Sequence, residues 1–240
     1  MSKTETKPAA VTIAAGEALL NGDLRLPPQP RAIVLFAHGS GSSRLSPRNR
    51  FVAEALDQRG LGTLLIDLLT PSEEEIDDAT AELRFDIPFL ARRLEAVTDW
   101  LKKQPEIRKL PLGYFGASTG AAAALLAAAA RPKEVFAVVS RGGRPDLALE
   151  VLSRVQAPTL LIVGGYDREV LAMNDADASL MKTERRLEIV PRATHLFEER
   201  GALEAVARLA AEWFLGHLNG SKRCDVRQRR MEGGSPQQIR

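Results

Sequence analysis

The chain has 240 residues, 45% hydrophobic and 27% charged, an ordinary globular composition that is long enough for one sizeable core. Three histidines and the single Cys224 offer no zinc-ligand spacing, and a lone cysteine excludes an internal disulfide. The formal charge of +2 is uneven: residues 219–240 carry a net +4, leaving about −2 for the rest, which argues against a nucleic-acid-binding fold.

In chain order, residues 1–9 read as a flexible lead-in. Lys3 and Lys7 precede an apolar stretch that Gly16 and Glu17 cut too short for a signal peptide. Residues 11–14 and 24–26 read as edge strands joined by a turn at Asn21-Gly22. Residues 32–37 form a continuous apolar run, the mark of a strand covered on both faces. The runs at 63–69, 112–115, 136–139, 159–163 and 187–190 repeat that signal. The acidic Glu73-Glu74-Glu75 reads as a solvated loop. Residues 82–104 show helical periodicity, with a kink or break expected at Pro88. Residues 119–131, almost all alanine and leucine, read as a helix packed under the sheet. Residues 201–218 form the closing helix, and 219–240 a basic, disordered tail.

Strands alternating with helices imply a mostly parallel central sheet with helices on both faces. No connection is long enough for a separate cap domain, so the domain spans 10–218 and its active site is open. No run approaches a membrane span, and the expected location is cytoplasmic.

Gly116-Ala117-Ser118-Thr119-Gly120 lies between a buried strand and the alanine-rich helix, the context that gives Gly-x-Ser-x-Gly its meaning. A nucleophile there needs a strained backbone and small neighbours two residues away, and Gly116 and Gly120 supply them. The same segment also looks like a dinucleotide loop of short-chain dehydrogenases. It comes too late in the strand order for that, and neither Tyr114 nor Tyr166 has a lysine four residues on.

A serine hydroxyl needs a base, and His195, just past the 187–190 strand, is the best-placed histidine. His217 lies in the final helix, and His38 reads as shaping a loop. Asp167, past the 159–163 strand, is the carboxylate expected to orient His195, with Asp146 in reserve. The order Ser118, Asp167, His195 is that of the α/β-hydrolase fold. The expected oxyanion donors are the backbone amides of Thr119 and of Ser40, in His38-Gly39-Ser40-Gly41.

These motifs, with Gly164-Gly165-Tyr166-Asp167 and Thr194-His195, resemble the dienelactone hydrolase-like branch of the α/β-hydrolases over residues 20–218. The resemblance implies an eight-stranded type of sheet, a triad without metal or other cofactor, and hydrolysis of a small-molecule ester or lactone. Dienelactone hydrolases proper look like cysteine enzymes at the nucleophile, whereas this chain has Ser118, so the namesake substrate does not carry over. Arg44 and Arg141 are candidate ligands for a substrate carboxylate, with Arg48 and Arg144 nearby in sequence; ion pairing, for example with Glu198 or Glu199, is the competing expectation. No nucleic-acid partner and no membrane span are expected, and oligomeric state is not written in the motifs. The rival reading is a non-catalytic binding protein on the same fold.

Overall fold

The computed structural model describes the backbone of residues 7–232 and the side chains of residues 7–218. Eight strands form one sheet: β1 (Ala9–Ala15), β2 (Ala18–Arg25), β3 (Ile33–Ala37), β4 (Gly62–Ile66), β5 (Leu112–Ala117), β6 (Val135–Arg141), β7 (Thr159–Gly164) and β8 (Arg185–Val190). Their order is β1-β2-β4-β3-β5-β6-β7-β8. β2 runs antiparallel to both β1 and β4, and every other pairing is parallel. All residues of β3, β4, β5 and β7 are buried, which is why their sequences read as unbroken apolar runs.

Helices cover both faces. α1 (Pro47–Asp57) and α7 (Ala202–Glu232) pack together on one side around Phe36, Phe115 and Phe214. α3 (Ile87–Lys103) and α4 (Thr119–Ala130) cover the other, where Ala121 to Leu125 are fully buried. The shorter α2 (Pro71–Thr80), α5 (Leu149–Leu152) and α6 (Arg168–Ala178) lie among the connections at the C-terminal edge of the sheet. Among the described residues no helix is long and apolar enough to cross a membrane.

Three local expectations need correction. The first turn is at Gly16-Glu17, with Gly16 at φ 66° and Ala15 paired directly with Ala18. Asn21-Gly22 lies inside β2; a Cβ at Gly22 would stand 3.0 Å from the Ile13 and Val11 side chains, so that glycine serves cross-strand packing. Glu73-Glu74-Glu75 belongs to α2 rather than to a loop. Thr70 caps that helix, accepting from the Glu73 amide while the Glu73 carboxylate accepts from the Thr70 amide, and Pro71 starts its first turn.

The break expected at Pro88 falls just before it. A 3-10 turn at Leu83–Phe85 ends at Asp86, whose carboxylate caps α3 by accepting from the Phe89 amide. At the far end the α7 backbone continues to Glu232 instead of stopping near 218. Residues 1–6 of the expected lead-in and 233–240 of the expected tail lie outside the described residues.

Candidate active site

Four strand ends converge on the site. β5 ends at Ala117, and Ser118 follows at φ 51°, ψ −122° before α4 begins. That left-handed conformation is costly for a residue with a Cβ, so the surroundings must enforce it. They do so through backbone packing and hydrogen bonds. A Cβ at Gly116 would lie 2.7 Å from the Ala121 nitrogen, and one at Gly120 would strike the carbonyls of Ala37 and His38. The Ser118 amide donates to the Arg141 carbonyl at 3.2 Å, and the Ser118 carbonyl accepts from the Ala121 amide at 3.0 Å. The serine is thus clamped between β6 and the first turn of α4.

His195 lies in the segment between β8 and α7. Its Nδ1 meets Asp167 Oδ2 at 2.7 Å, with the Asp167 side chain 14% exposed and that of His195 40% exposed. The carboxylate at Nδ1 leaves Nε2 as the free basic nitrogen. Asp167 stands at the start of α6, its amide donating to the Gly164 carbonyl at 3.0 Å. Gly164 is also where the histidine segment crosses β7: a Cβ there would collide with the carbonyls of Ala193 and Thr194. Asp146, the reserve carboxylate, is held by Arg144 at 2.6 Å and 2.8 Å.

On the opposite side, His38 ends the β3 segment in a buried position. Its Nε2 accepts from the Leu68 amide and its Nδ1–H donates to the Gly39 carbonyl, both at 3.0 Å. Burial pushes the imidazole below its ordinary value of 6.5, so the neutral form is favoured. His38 therefore shapes the 38–43 loop, as its sequence position suggested. Thr119, first residue of α4, has no acceptor for its N–H within the helix. The Ser40 amide donates to Thr119 Oγ1 at 3.0 Å, and the two hydroxyls lie 2.9 Å apart. Ser40 thus sits beside Thr119, with its amide engaged by the threonine hydroxyl.

A cavity of about 310 Å³ opens next to this pair. His38, Ser40, Leu68, Glu74, Asp77 and Arg84 are among its walls; Ser118 and His195 are not. Arg84 Nε holds the Asp77 carboxylate at 2.6 Å, while desolvation followed by the charge of Asp67 raises the Glu74 carboxyl above its ordinary value. Sequence reasoning missed this wall because it read the acidic run as a loop. The Thr70-Pro71-Ser72-Glu73 capping signature was the available signal.

The four rim arginines divide. Arg44 pairs with Asp67 and lies 3.5 Å from Asp23, Arg48 pairs with Glu198 at 3.3 Å, and Arg144 pairs with Asp146. Arg141 is 8% exposed and makes no side-chain hydrogen bond or ion pair among the described residues.

The strand order, the strained serine after β5 and the helices on both faces define an α/β-hydrolase fold. The chain belongs to the dienelactone hydrolase family, whose model matches residues 26–215. The solved dienelactone hydrolase from Anabaena variabilis is 61% identical, superposes with a TM-score of 0.87, and is matched over 89% of this chain and 99% of that one. Est1E from Butyrivibrio proteoclasticus shares the fold at 18% identity and a TM-score of 0.74, over 88% of this chain and 99% of its own. A Mycobacterium tuberculosis protein named a putative phosphoribosyl transferase is 57% identical over 210 residues, 88% of this chain and 46% of that protein. The chain thus spans about half the length of the curated relatives it matches. Family and near neighbour together support a hydrolase.

Proposed function

We propose that this chain is a serine hydrolase that cleaves a carboxylic ester or lactone through an acyl-enzyme on Ser118. The observation that carries the reading is the His195–Asp167 pair at 2.7 Å, on strand ends two and three places beyond a serine held at φ 51°. Ser118 Oγ attacks the substrate carbonyl carbon while His195 Nε2 takes the hydroxyl proton. Asp167 keeps Nδ1 protonated and stabilises the imidazolium that forms. The Thr119 amide donates to the oxyanion, joined by the Ser40 amide once the Thr119 hydroxyl turns aside. The tetrahedral adduct collapses, and the leaving alkoxide takes the proton from His195. Water then attacks the acyl-enzyme with His195 again as base, releasing the acid and restoring Ser118.

The cavity beside Ser40 and Thr119 has room for one arm of the substrate, and its carboxylates favour a neutral or hydroxylated group over an anion. Phosphoribosyl transfer is not the reading offered: that name belongs to proteins about twice as long, of which this chain matches 46%. A fluorophosphonate probe tests the proposal. Labelling at Ser118 that disappears in Ser118→Ala, with ester turnover falling by at least about 10³-fold, is the expected result. No labelling, and no hydrolysis across a panel of short esters and lactones, would leave the non-catalytic binding protein as the better reading.

A further inference from the structure

Residues 141–144, where the chain leaves β6, touch both Ser118 and His195. The Ser118 amide donates to the Arg141 carbonyl at 3.2 Å, and the Arg144 amide donates back to the Ser118 carbonyl at 3.3 Å. Between them Gly142, at φ 51°, donates to the Ile162 carbonyl of β7 at 2.8 Å. A Cβ on Gly142 would lie 3.4 Å from the His195 imidazole. The segment is thus a spacer, holding the serine backbone on one side and meeting the histidine on the other.

What holds the spacer is a question of one carbonyl. Gly143 is buried, so its carbonyl needs a donor, and β6 has already ended at Arg141. Asn174 of α6 supplies that donor. The side chain is fully buried, and its Nδ2 donates to the Gly143 carbonyl at 2.9 Å and to the Val170 carbonyl, one turn back in its own helix, at 2.8 Å. Two acceptors at once define which side of the amide carries the nitrogen.

Asparagine is an expensive choice for that position. It is a poor helix former, and its Oδ1 is buried without a donor among the described residues. A leucine of similar size would avoid both costs, but it could not donate to Gly143. The same helix begins at Asp167, whose carboxylate meets His195 Nδ1 at 2.7 Å. One rigid element therefore makes two contacts into the site: Asp167 to the histidine and, about two turns further on, Asn174 to the segment that clamps the serine.

We propose that Asn174 is a positioning residue, which ties α6 to residues 141–144 through the Gly143 carbonyl and so sets the spacing of Ser118 and His195. Its effect on turnover rests on the serine-hydrolase reading above; the tie itself does not. Being fully buried, Asn174 acts only through the backbone it holds.

The test compares the full chain with Asn174→Leu, which fills similar space without a donor. The control is Met181→Ala, which empties buried volume just past the end of α6 and leaves the Asn174–Gly143 bond in place. On short esters Asn174→Leu is expected to lower kcat about 10- to 10²-fold with KM little changed, as a shift of up to about 1 Å would. Fluorophosphonate labelling of Ser118 should slow in proportion. Met181→Ala should lower the Tm at least as much while kcat holds. Parental kcat in Asn174→Leu, or an equal loss of kcat in both variants, overturns the proposal.

Hydrogen exchange reads the tie without turnover. In Asn174→Leu the amides of Ser118, Gly142 and Arg144 should lose protection while those of β3 and β4 keep theirs. That loss, in a chain whose parent neither labels nor hydrolyses any ester, would retain the tie and remove the hydrolase reading. Ester turnover by the parent with no loss at these three amides would do the reverse. If Asn174→Leu does not fold, Asn174→Ala takes its place, and the parent supplies a further reading. Its Asn174 side-chain amide should exchange slowly; exchange as fast as that of the exposed Gln58 overturns the tie.

Discussion

The two flanks of Ser118 handle charge differently. On the oxyanion side, around β3, β4 and α2, cations and anions close on each other: Arg44 on Asp67 and Asp23, Arg84 on Asp77, Arg93 on Glu73. Even the buried histidine there is used neutral, with both ring nitrogens in hydrogen bonds. On the histidine side, around β6, β7 and β8, Arg144 closes on Asp146 and His195 on Asp167, while Arg141 has no side-chain partner among the described residues. The first flank is built as a fixed wall. The second carries the His195 imidazole, which the proposed reaction would use as its base. The difference teaches that on the first flank carboxylates hold guanidiniums in place, whereas on the second a carboxylate holds an imidazole.

Three changes would break or sharpen this contrast, beyond the serine and asparagine tests above. Asp167→Asn should have the largest effect, lowering kcat about 10³- to 10⁴-fold, because the amide cannot hold the imidazole in the productive tautomer. Far-ultraviolet circular dichroism should remain that of the parent, and steady-state ester hydrolysis reads the loss. A drop below about tenfold would mean that another carboxylate serves His195.

Gly164→Ala comes next. The new methyl would push against the Ala193 and Thr194 carbonyls and move His195, costing about 10²-fold in kcat for a displacement near 1 Å. The oxyanion flank should be untouched, so the 38–43 amides should keep their hydrogen-exchange protection while those of 193–201 lose it. Equal loss on both flanks would refute their independence.

The smallest effect is a pH dependence from His38. Its folded-state value is depressed by burial, so in acid the unfolded chain takes up the proton first. The stability from the neutral imidazole is therefore complete above 6.5 and declines as pH falls through and below that value. Chemical denaturation of the parent and His38→Gln from pH 8 to 5 should show a steeper decline in the parent. Parallel curves would mean that His38 takes up its proton alike in the folded and unfolded chain.

The core strands were legible because a strand buried on both faces must be apolar at every position, as β3 and β5 are. The strained turn at Ser118 was legible because only small residues fit two places either side of it, a constraint written in local sequence. The placement of Asp167 and His195 past strand ends could be read because each follows a recognisable strand; their 2.7 Å contact is what the fold adds. The start of the chain misled because Asn21-Gly22 carries a strong turn signature, yet Gly22 is required by the side chains of β1 and β4 packed across it. For α2 the signal was present in Thr70 and Glu73 and was outweighed by three consecutive acids. The fate of the arginines was not legible: Arg44 meets Asp23 and Asp67, and Arg48 meets Glu198, through contacts that only the folded sheet creates. The same holds for the Ser40 amide, whose engagement by the Thr119 hydroxyl spans 79 residues of chain.

The alanines of α4 have a consequence for redesign. From Ala121 to Ala124 the buried face of this helix ends at Cβ and has no rotamers to rearrange, so this turn transmits the position of the sheet to Ser118 without slack. Enlarging any of Ala121 to Ala124 would lift the helix instead of repacking it, and Ser118 would rise with it. Anyone reshaping this protein for a bulkier ligand therefore has room in α2, which walls the cavity, and almost none beneath Ser118.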